Sequence, residues 1–389
     1  MPAGKVVVEN LYKIFDRNPG DALALLKQGV KKEAVFSRTG KVVGVNNVSF
    51  SVNEGEIFVL MGLSGSGKST LIRLINRLVD PSHGKICVDG QDVAKLSPRE
   101  LVQLRRSDMS MVFQSFALMP HQTVLENTAF GLEIAGVARK AREQRALQVL
   151  EQVGLSPYAK KYPRQLSGGM QQRVGLARAL AVNPSLMLMD EAFSALDPLK
   201  RKEMQDVLLN LQSQQRRTIM FVSHDLEEAL RIGNRIAIME GGNLVQVGTP
   251  QEIIENPADD YVRAFFKSVD TSRYLVAADL LDTAGIPIVV QNQTAGTQPA
   301  WQPWLAFVNQ ERKWLGLLSS EALAATSSPA QALLTENTAV SERAALHEIL
   351  PQLLGRTAPL PVLDSSGFYL GVITAASALR KISLGANHV

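Results

Sequence analysis

The sequence has little of what secreted or membrane-spanning proteins need. Its 389 residues include one cysteine, Cys87, so no disulfide can form within the chain. The longest stretch without charged residues, 283–310, contains three prolines and many amides, so it cannot satisfy its backbone in lipid as a spanning helix does. The N-terminal residues MPAGK lack the apolar run of a secretory signal. We therefore expect a cytoplasmic protein that reaches a membrane only through a partner.

The chain also lacks a cluster of charge of one sign. It has 41 Lys and Arg against 37 Asp and Glu, a net charge of +4, and its basic pairs are scattered without interleaved aromatic residues. Nucleic-acid binding requires a clustered basic patch, so we expect no nucleic-acid partner. With 46% hydrophobic residues, the chain is long enough for two or three domains, each with its own core.

A glycine-rich loop follows the apolar run 57–61 and precedes residues that are apolar at helical spacing. Glycines let backbone N–H groups converge on phosphate oxygens, Lys68 adds a positive charge near the β and γ phosphates, and the Ser69 hydroxyl can bind Mg²⁺. The sequence therefore predicts a phosphate-binding loop between a strand and a helix. The predicted nucleotide contacts are Gly62, Ser64, Gly65, Ser66, Gly67, Lys68, Ser69 and Thr70.

Polar side chains follow three further apolar runs. Asp190 and Glu191 come at the end of one run, His224 follows the next, and Gln114 follows a run earlier in the chain. Buried apolar runs that end in polar residues are typical of parallel strands between helices. We expect Asp190 to reach the magnesium shell and Glu191 to hold the attacking water. His224 would fix the water and the γ-phosphate, and Gln114 would sense both the γ-phosphate and the metal.

A second glycine turn, residues 166–170 with the sequence LSGGM, opens another helix. It has no evident role at the nucleotide of its own chain. In a head-to-tail dimer, however, Ser167, Gly168 and Gly169 would offer a helix N-terminus to the partner's γ-phosphate. The pairing of the two glycine segments predicts a homodimer that encloses ATP between its subunits.

Together these residues resemble the ATP-binding cassette ATPases. In that family's terms the motifs are the Walker A loop 62–69, the Q-loop Gln114, the signature 166–170, the Walker B strand 186–190, the catalytic Glu191, the D-loop 194–197 and the switch histidine His224. The resemblance covers about residues 5–265 in family order. It implies an α/β P-loop NTPase with a RecA-like core and a helical subdomain at about 115–183. It also implies catalysis by Glu191, His224 and Lys68, with Mg²⁺ held by Ser69, Gln114 and Asp190.

The same family stacks an aromatic side chain on adenine. Segment 16–41 has the character of an insertion and disrupts the usual count before the first loop. The resemblance favours Phe15, with Tyr12 and Phe36 as alternatives, and each of the three could equally pack in a core.

The resemblance narrows to importers of glycine betaine and proline betaine. It is carried by MGLSGSG at 61–67, MVFQSFALMPH at 111–121, NTAFG at 127–131 and the inserted segment ending at 38–40. It implies an ATPase at the cytoplasmic face of the membrane, a transmembrane permease and an external substrate-binding protein. The alternatives are the ATPase of a methionine-type or other amino-acid importer, or a soluble ATPase of the same family without a transport role.

Past residue 266 charged residues become sparse, which predicts two domains, 1–268 and 269–389. In the second, WLGLL at 314–318 recurs 55 residues later as YLGVI at 369–373, which suggests two copies of one unit. PVLD at 361–364 is similar to a cystathionine-β-synthase-type (CBS) repeat. That resemblance implies tandem repeats at about 271–325 and 326–389, of an α+β regulatory type that senses ionic strength or binds an adenine nucleotide. A purely structural or dimer-stabilising tail is the alternative.

Overall fold

The computed structural model describes residues 4–114, 116–266, 275–282, 285–291, 303–325 and 338–386. The chain divides into two compact units, Met1–Phe265 and Phe266–Val389. Ser115 of the MVFQSF motif and parts of both predicted repeats lie outside the described residues. Within the described ranges, no helix combines the length and apolar character needed to cross a bilayer.

The strands of the first unit are β1 (Val6–Phe15), β2 (Val42–Val52), β3 (Ile57–Met61), β4 (His83–Val88), β5 (Gln91–Asp92), β6 (Met109–Val112), β7 (Leu186–Asp190), β8 (Thr218–Ser223), β9 (Arg235–Glu240) and β10 (Asn243–Gly248). Its helices are α1 (Gly20–Lys27), α2 (Lys32–Thr39), α3 (Lys68–Ile75), α4 (Pro98–Ser107), α5 (Val124–Ile134), α6 (Arg139–Gln152), α7 (Gly168–Ala181), α8 (Pro198–Gln214), α9 (Leu226–Ile232), α10 (Pro250–Glu255) and α11 (Asp260–Phe266).

A six-stranded sheet in the order β10-β9-β3-β8-β7-β6 forms the centre of the first unit. All its neighbouring strands pair in parallel except β10 and β9. Every residue of β3, β7 and β8 is buried, as expected for apolar strands that are covered on both faces. The carboxyl ends of β3, β6, β7 and β8 therefore lie along one edge, where the sequence placed its polar residues.

An antiparallel sheet, β2-β1-β4-β5, covers helix α3 and one face of the central sheet. The segment between β1 and β2, predicted as an insertion, folds as α1 and α2. These helices have a small core of their own, made of Tyr12, Ile14, Ala22, Leu26 and Val35. Gly40 ends α2 in the left-handed conformation, a common way to stop a helix.

Helices α5, α6 and α7 follow β6 and precede β7 in the chain, and they pack against one another as a helical layer. Helix α5 begins at a capping box, in which Thr123 accepts a hydrogen bond from the Glu126 backbone and the Glu126 carboxylate accepts from the Thr123 backbone. This layer lies where the sequence predicted a helical subdomain.

The described part of the second unit has two three-stranded sheets of the same design. They are formed by β11 (Ile288–Val290), β12 (Trp304–Val308) and β13 (Trp314–Ser319), and by β14 (Val340–Ser341), β15 (Leu360–Leu363) and β16 (Tyr369–Ile373). Each sheet has one parallel and one antiparallel pair. The helices of this unit are α12 (Ser320–Ala325), α13 (Leu346–Leu353) and α14 (Ala375–Ala386).

The two sheets meet at residues that are 55 positions apart in the sequence. Trp314 and Tyr369 stack with ring centroids 5.3 Å apart and an interplanar angle of 17°. The backbone N–H of Trp314 donates to the Gly367 carbonyl, and that of Tyr369 donates to the Arg312 carbonyl. The two bonds are reciprocal, because their donors and their acceptors are each 55 positions apart in the sequence.

Candidate nucleotide site

At two positions, the loop after β3 has a backbone conformation that only glycine can adopt. At Gly62, whose φ is 148°, an added Cβ would lie 2.2 Å from the Met239 carbonyl oxygen and 2.7 Å from Ser66 Oγ. At Gly67, whose φ is 101°, it would lie 2.5 Å from the Gly44 carbonyl oxygen. The loop therefore curls tightly against its neighbours before α3 begins, as a phosphate cradle requires.

Lys68 is folded back into this loop and is only 4% exposed. Its Nζ donates to the carbonyl oxygens of Gly62 and Leu63, at 2.8 and 2.9 Å, and to Ser66 Oγ at 3.4 Å. Burial lowers the pKa of the Lys68 ammonium, and nearby carboxylates partly oppose that effect. The Lys68 ammonium therefore lies where the phosphate oxygens of a nucleotide can replace the carbonyl oxygens as its hydrogen-bond acceptors.

Asp190, at the end of β7, is 3% exposed, and both its oxygens are hydrogen-bonded to helix α3. Ser69 Oγ donates to Oδ1 at 2.7 Å, and Arg73 Nη2 donates to Oδ2 at 3.2 Å. A hydroxyl and a carboxylate this close are oxygen ligands of the kind that Mg²⁺ prefers when phosphates and waters complete its shell. The residues present therefore fit a magnesium ion.

Glu191 lies at the sheet edge where β6, β7 and β8 end, and it contacts polar residues from both neighbouring strand ends. Its φ is 48°, in the left-handed region that non-glycine residues rarely adopt, and its N–H donates to the Val222 carbonyl of β8. Gln114 Nε2 donates to Glu191 Oε2 at 3.3 Å, and His224 Nδ1 lies 3.4 Å from the same oxygen. The structure thus brings together the three residues that follow β6, β7 and β8.

The second glycine turn is built as a helix start. Ser167 caps α7 by accepting from the Met170 backbone at 3.4 Å, and Gln171 donates to the carbonyl oxygens of Pro163 and Leu166. In the part of the chain that is described, no hydrogen bond joins residues 167–169 to the loop 62–69. Within one chain the two glycine segments are therefore separate elements.

The three aromatic candidates differ in their surroundings. Tyr12 is a core residue, and Phe36 lies exposed on α2. Phe15 is 48% exposed, and a Cβ added to Gly44 would lie 2.7 Å from its ring and 3.3 Å from Thr70 Cγ2. Phe15 therefore lies beside the first turn of α3, and its stacking on adenine stays a prediction.

Sequence reasoning missed Arg73. It lies four residues after Ser69 on α3, and residues at this spacing share one helix face. That spacing could have indicated that both side chains reach the same carboxylate.

Sequence reasoning also missed a buried network behind the end of β8. Glu228 accepts from Ser223 Oγ at 2.6 Å and from Gln205 Nε2 at 3.2 Å. Burial raises the pKa of the Glu228 carboxyl. No sequence pattern distinguished this glutamate from the exposed Glu227 beside it.

Fold and site define an ATP-binding cassette ATPase, and residues 45–194 match the family described as ABC transporter. One solved structure, the dimeric post-hydrolysis state of the ATP-binding cassette MJ0796 bound to ADP and phosphate, superimposes with a TM-score of 0.53 at 31% identity. It covers 63% of this chain and 98% of that one.

The closer relatives are transport proteins. The glycine betaine/proline betaine transport system ATP-binding protein ProV of Salmonella typhimurium is 48% identical over 97% of both chains. The trimethylamine N-oxide transport system ATP-binding protein TmoW of Pelagibacter ubique is 52% identical over 70% of this chain and 80% of its own. The chain belongs to the family of glycine betaine/proline betaine transport ATP-binding proteins. The family and the cassette fold expected from the motifs are confirmed, whereas the CBS character of the tail stays a prediction.

Proposed function

We propose that this protein is the ATP-hydrolysing subunit of an importer for glycine betaine, proline betaine or related quaternary amines. The observation that carries this is the convergence of Lys68, Asp190, Glu191 and His224 at one sheet edge. The near full-length similarity to a betaine transport subunit supports the choice of solute.

Each residue has a role that its position supports. Lys68 neutralises charge on the β and γ phosphates, and Glu191 orients and deprotonates the attacking water. His224, next to Glu191, holds the water and the γ-phosphate in place. Ser69 and Asp190, with Gln114, would hold Mg²⁺, which supplies charge stabilisation at the transferring phosphoryl group when bound.

Two copies of the chain would enclose two nucleotides. The loop 62–69 of one copy and the turn 167–169 of the other would contact each triphosphate, with Phe15 against adenine. Closure is favoured by ATP because only the closed pair makes both sets of contacts. Hydrolysis removes the γ-phosphate and reopens the pair.

The remaining partners follow from this role. A transmembrane permease would bind the surface around residues 116–127, at the cytoplasmic face of the membrane, and an external binding protein would deliver the solute. The second unit would act as a tandem CBS regulatory domain that senses ionic strength or binds an adenine nucleotide, which the reciprocal contacts between its two sheets support.

The test is reconstitution. Membranes containing the tagged chain are solubilised, the co-purifying permease is identified, and the complex is placed in proteoliposomes with ATP inside. We expect ATP-dependent uptake of labelled glycine betaine, and we expect Lys68→Ala to abolish it because the triphosphate loses its cation. Uptake of methionine instead of betaine, or uptake that survives Lys68→Ala, would contradict the proposal.

The regulatory role is tested in the same vesicles. A chain that ends after residue 266 should still hydrolyse ATP, but its activity should respond differently to added KCl. An unchanged salt response would remove the sensor role of the tail.

A further inference from the structure

Helix α11 contacts the strand next to the phosphate-binding loop. The hydroxyl of Tyr261, on α11, donates to the Met239 carbonyl oxygen of β9 at 3.3 Å. A Cβ added to Gly62, the first residue of the loop, would lie 2.2 Å from that same oxygen. Tyr261 therefore binds the carbonyl group against which the loop 62–69 begins its curl.

The same hydroxyl contacts the loop itself. Burial raises the pKa of the Tyr261 hydroxyl, and a hydrogen bond from the Leu63 backbone N–H partly opposes that effect. The phenol oxygen thus accepts from the loop, while its proton is donated to β9. A tyrosine hydroxyl can do both at once, whereas a phenylalanine ring in the same place could do neither.

A cavity lies on this side of the loop. It measures about 640 Å³, and its walls include residues 63–66 of the loop, residues 29–33 around the start of α2, and Tyr261. The Leu63 side chain is 60% exposed. Atoms that face a cavity have no neighbours there to pack against, so the position of the loop on this side depends on polar contacts.

Helix α11 is itself fixed to the first unit and is its last helix. The Gln246 side chain of β10 donates to the Asn256 carbonyl oxygen at 2.9 Å and accepts from the Ala258 N–H at 2.8 Å, which holds the segment that leads into α11. Val262 of α11 is fully buried. The helix ends at Phe266, where the second unit begins.

We propose that Tyr261 is a positioning residue that connects the loop 62–69 to helix α11, so that the position of α11 sets how tightly the loop binds the phosphates of a nucleotide. A displacement of α11 by the second unit would then change nucleotide affinity. Because coupling between sites is reciprocal, nucleotide on the loop would also stabilise α11. This inference rests on the proposed function, since it needs a nucleotide on the loop, and it names the path by which the second unit would regulate that site.

The test compares hydrogen exchange of the full-length chain with and without saturating Mg-ADP. We expect Mg-ADP to slow exchange in residues 62–75, which bind it, and also in residues 260–266 of α11. Tyr261→Phe keeps the ring and removes the hydroxyl. In this variant the added protection at 260–266 should fall about two- to ten-fold, the effect that one lost hydrogen bond has on an equilibrium constant, while protection at 62–75 persists. The Kd for Mg-ADP should rise by a similar factor.

Two comparisons separate coupling from a general loss of structure. Loss of a purely structural contact would weaken protection of α11 equally with and without Mg-ADP, whereas loss of coupling removes only the part that the nucleotide adds. Tyr158→Phe is the matched control. It removes the hydroxyl of an exposed tyrosine between α6 and α7 and should match the parent in both protection and Kd.

The outcomes are distinct. The inference is overturned if Mg-ADP protects 62–75 but not 260–266 in the parent chain. It is also overturned if Tyr261→Phe retains both the affinity of the parent and its nucleotide-dependent protection of α11. Tyr261 is only partly buried and the variant keeps its ring, so the variant is expected to fold. Failure of the parent chain to bind Mg-ADP would instead contradict the proposed function, whatever the variant does.

Discussion

At the residue scale, the buried charged groups Lys68 and Asp190 both have hydrogen-bond partners within the site. Lys68 is covered by carbonyl oxygens, and Asp190 is bonded by Ser69 and Arg73. Buried charges are costly unless they are paired, so these contacts stabilise the site between rounds of nucleotide binding. Of these residues, Arg73 can be substituted with the least disturbance of packing, because half of its side chain is exposed.

This leads to a prediction for Arg73→Met. The Asp190 carboxylate loses its cationic partner, so we expect the nucleotide-free chain to lose about 1 kcal/mol of stability, a small cost because Arg73 is half exposed and Ser69 still donates. With saturating Mg-ADP the loss should shrink, since a bound cation compensates the carboxylate. Thermal unfolding with and without Mg-ADP measures both values.

Arg139→Met is the matched control. It breaks an exposed pair with Glu143 on α6 and should change neither value. An equal loss of stability for Arg73→Met in both conditions would contradict the assigned role of Arg73.

At the scale of elements, α8, β8 and α9 are joined by buried polar groups next to His224. Gln205 of α8 and Ser223 of β8 both donate to Glu228 of α9. Arg201 of α8 also pairs with Asp225 at 2.6 Å. The histidine therefore lies at the end of a strand whose position depends on a buried carboxyl group.

The raised pKa of Glu228 predicts a dependence of stability on pH. The folded chain binds this proton more tightly than the unfolded chain, so the free energy of unfolding falls as pH rises from the ordinary glutamate pKa toward the folded value. Glu228→Gln removes this fall and keeps an oxygen to accept from Ser223. We expect the variant to gain stability relative to the parent as pH rises above about 4.3, the ordinary glutamate pKa.

Unfolding measured across that pH range tests this expectation. The exposed neighbour provides the control, since Glu227→Gln should show a constant difference from the parent. The assignment is wrong if the Glu228→Gln difference is equally constant.

Some of these elements could be predicted from the sequence, and others could not. The apolar runs before Gln114, Asp190 and His224 predicted both the strands and the edge at which they end, because burial on both faces leaves a clear pattern. Glu228 gave no such signal. Its role depends on which helices pack behind the end of β8, and a side chain that bonds partners on two other elements leaves no spacing to detect.

At the scale of the whole molecule, the chain is two units with separate cores. The change in composition past residue 266 predicts a second domain, and the repeat of five residues predicts two copies of one unit within it. The two sheets described in the second unit meet at the two repeated aromatic residues. Burial raises the pKa of Tyr369 to about 12, so this residue stays neutral at the centre of the contact. The ligand of the unit could not be predicted, since the repeat specifies packing rather than a binding group.

For the first unit, in contrast, we propose a site that a single chain leaves incomplete. The turn 167–169 is a formed helix start, but its described hydrogen bonds are local. We propose that this turn contacts a triphosphate held by another copy.

The most direct test is the crystal structure of the Glu191→Gln chain with Mg-ATP. Loss of the catalytic carboxylate should trap the closed pair. We expect each γ-phosphate to contact Lys68 of one copy and Ser167 and Gly169 of the other. A triphosphate enclosed by the residues of a single chain would contradict the proposed shared site.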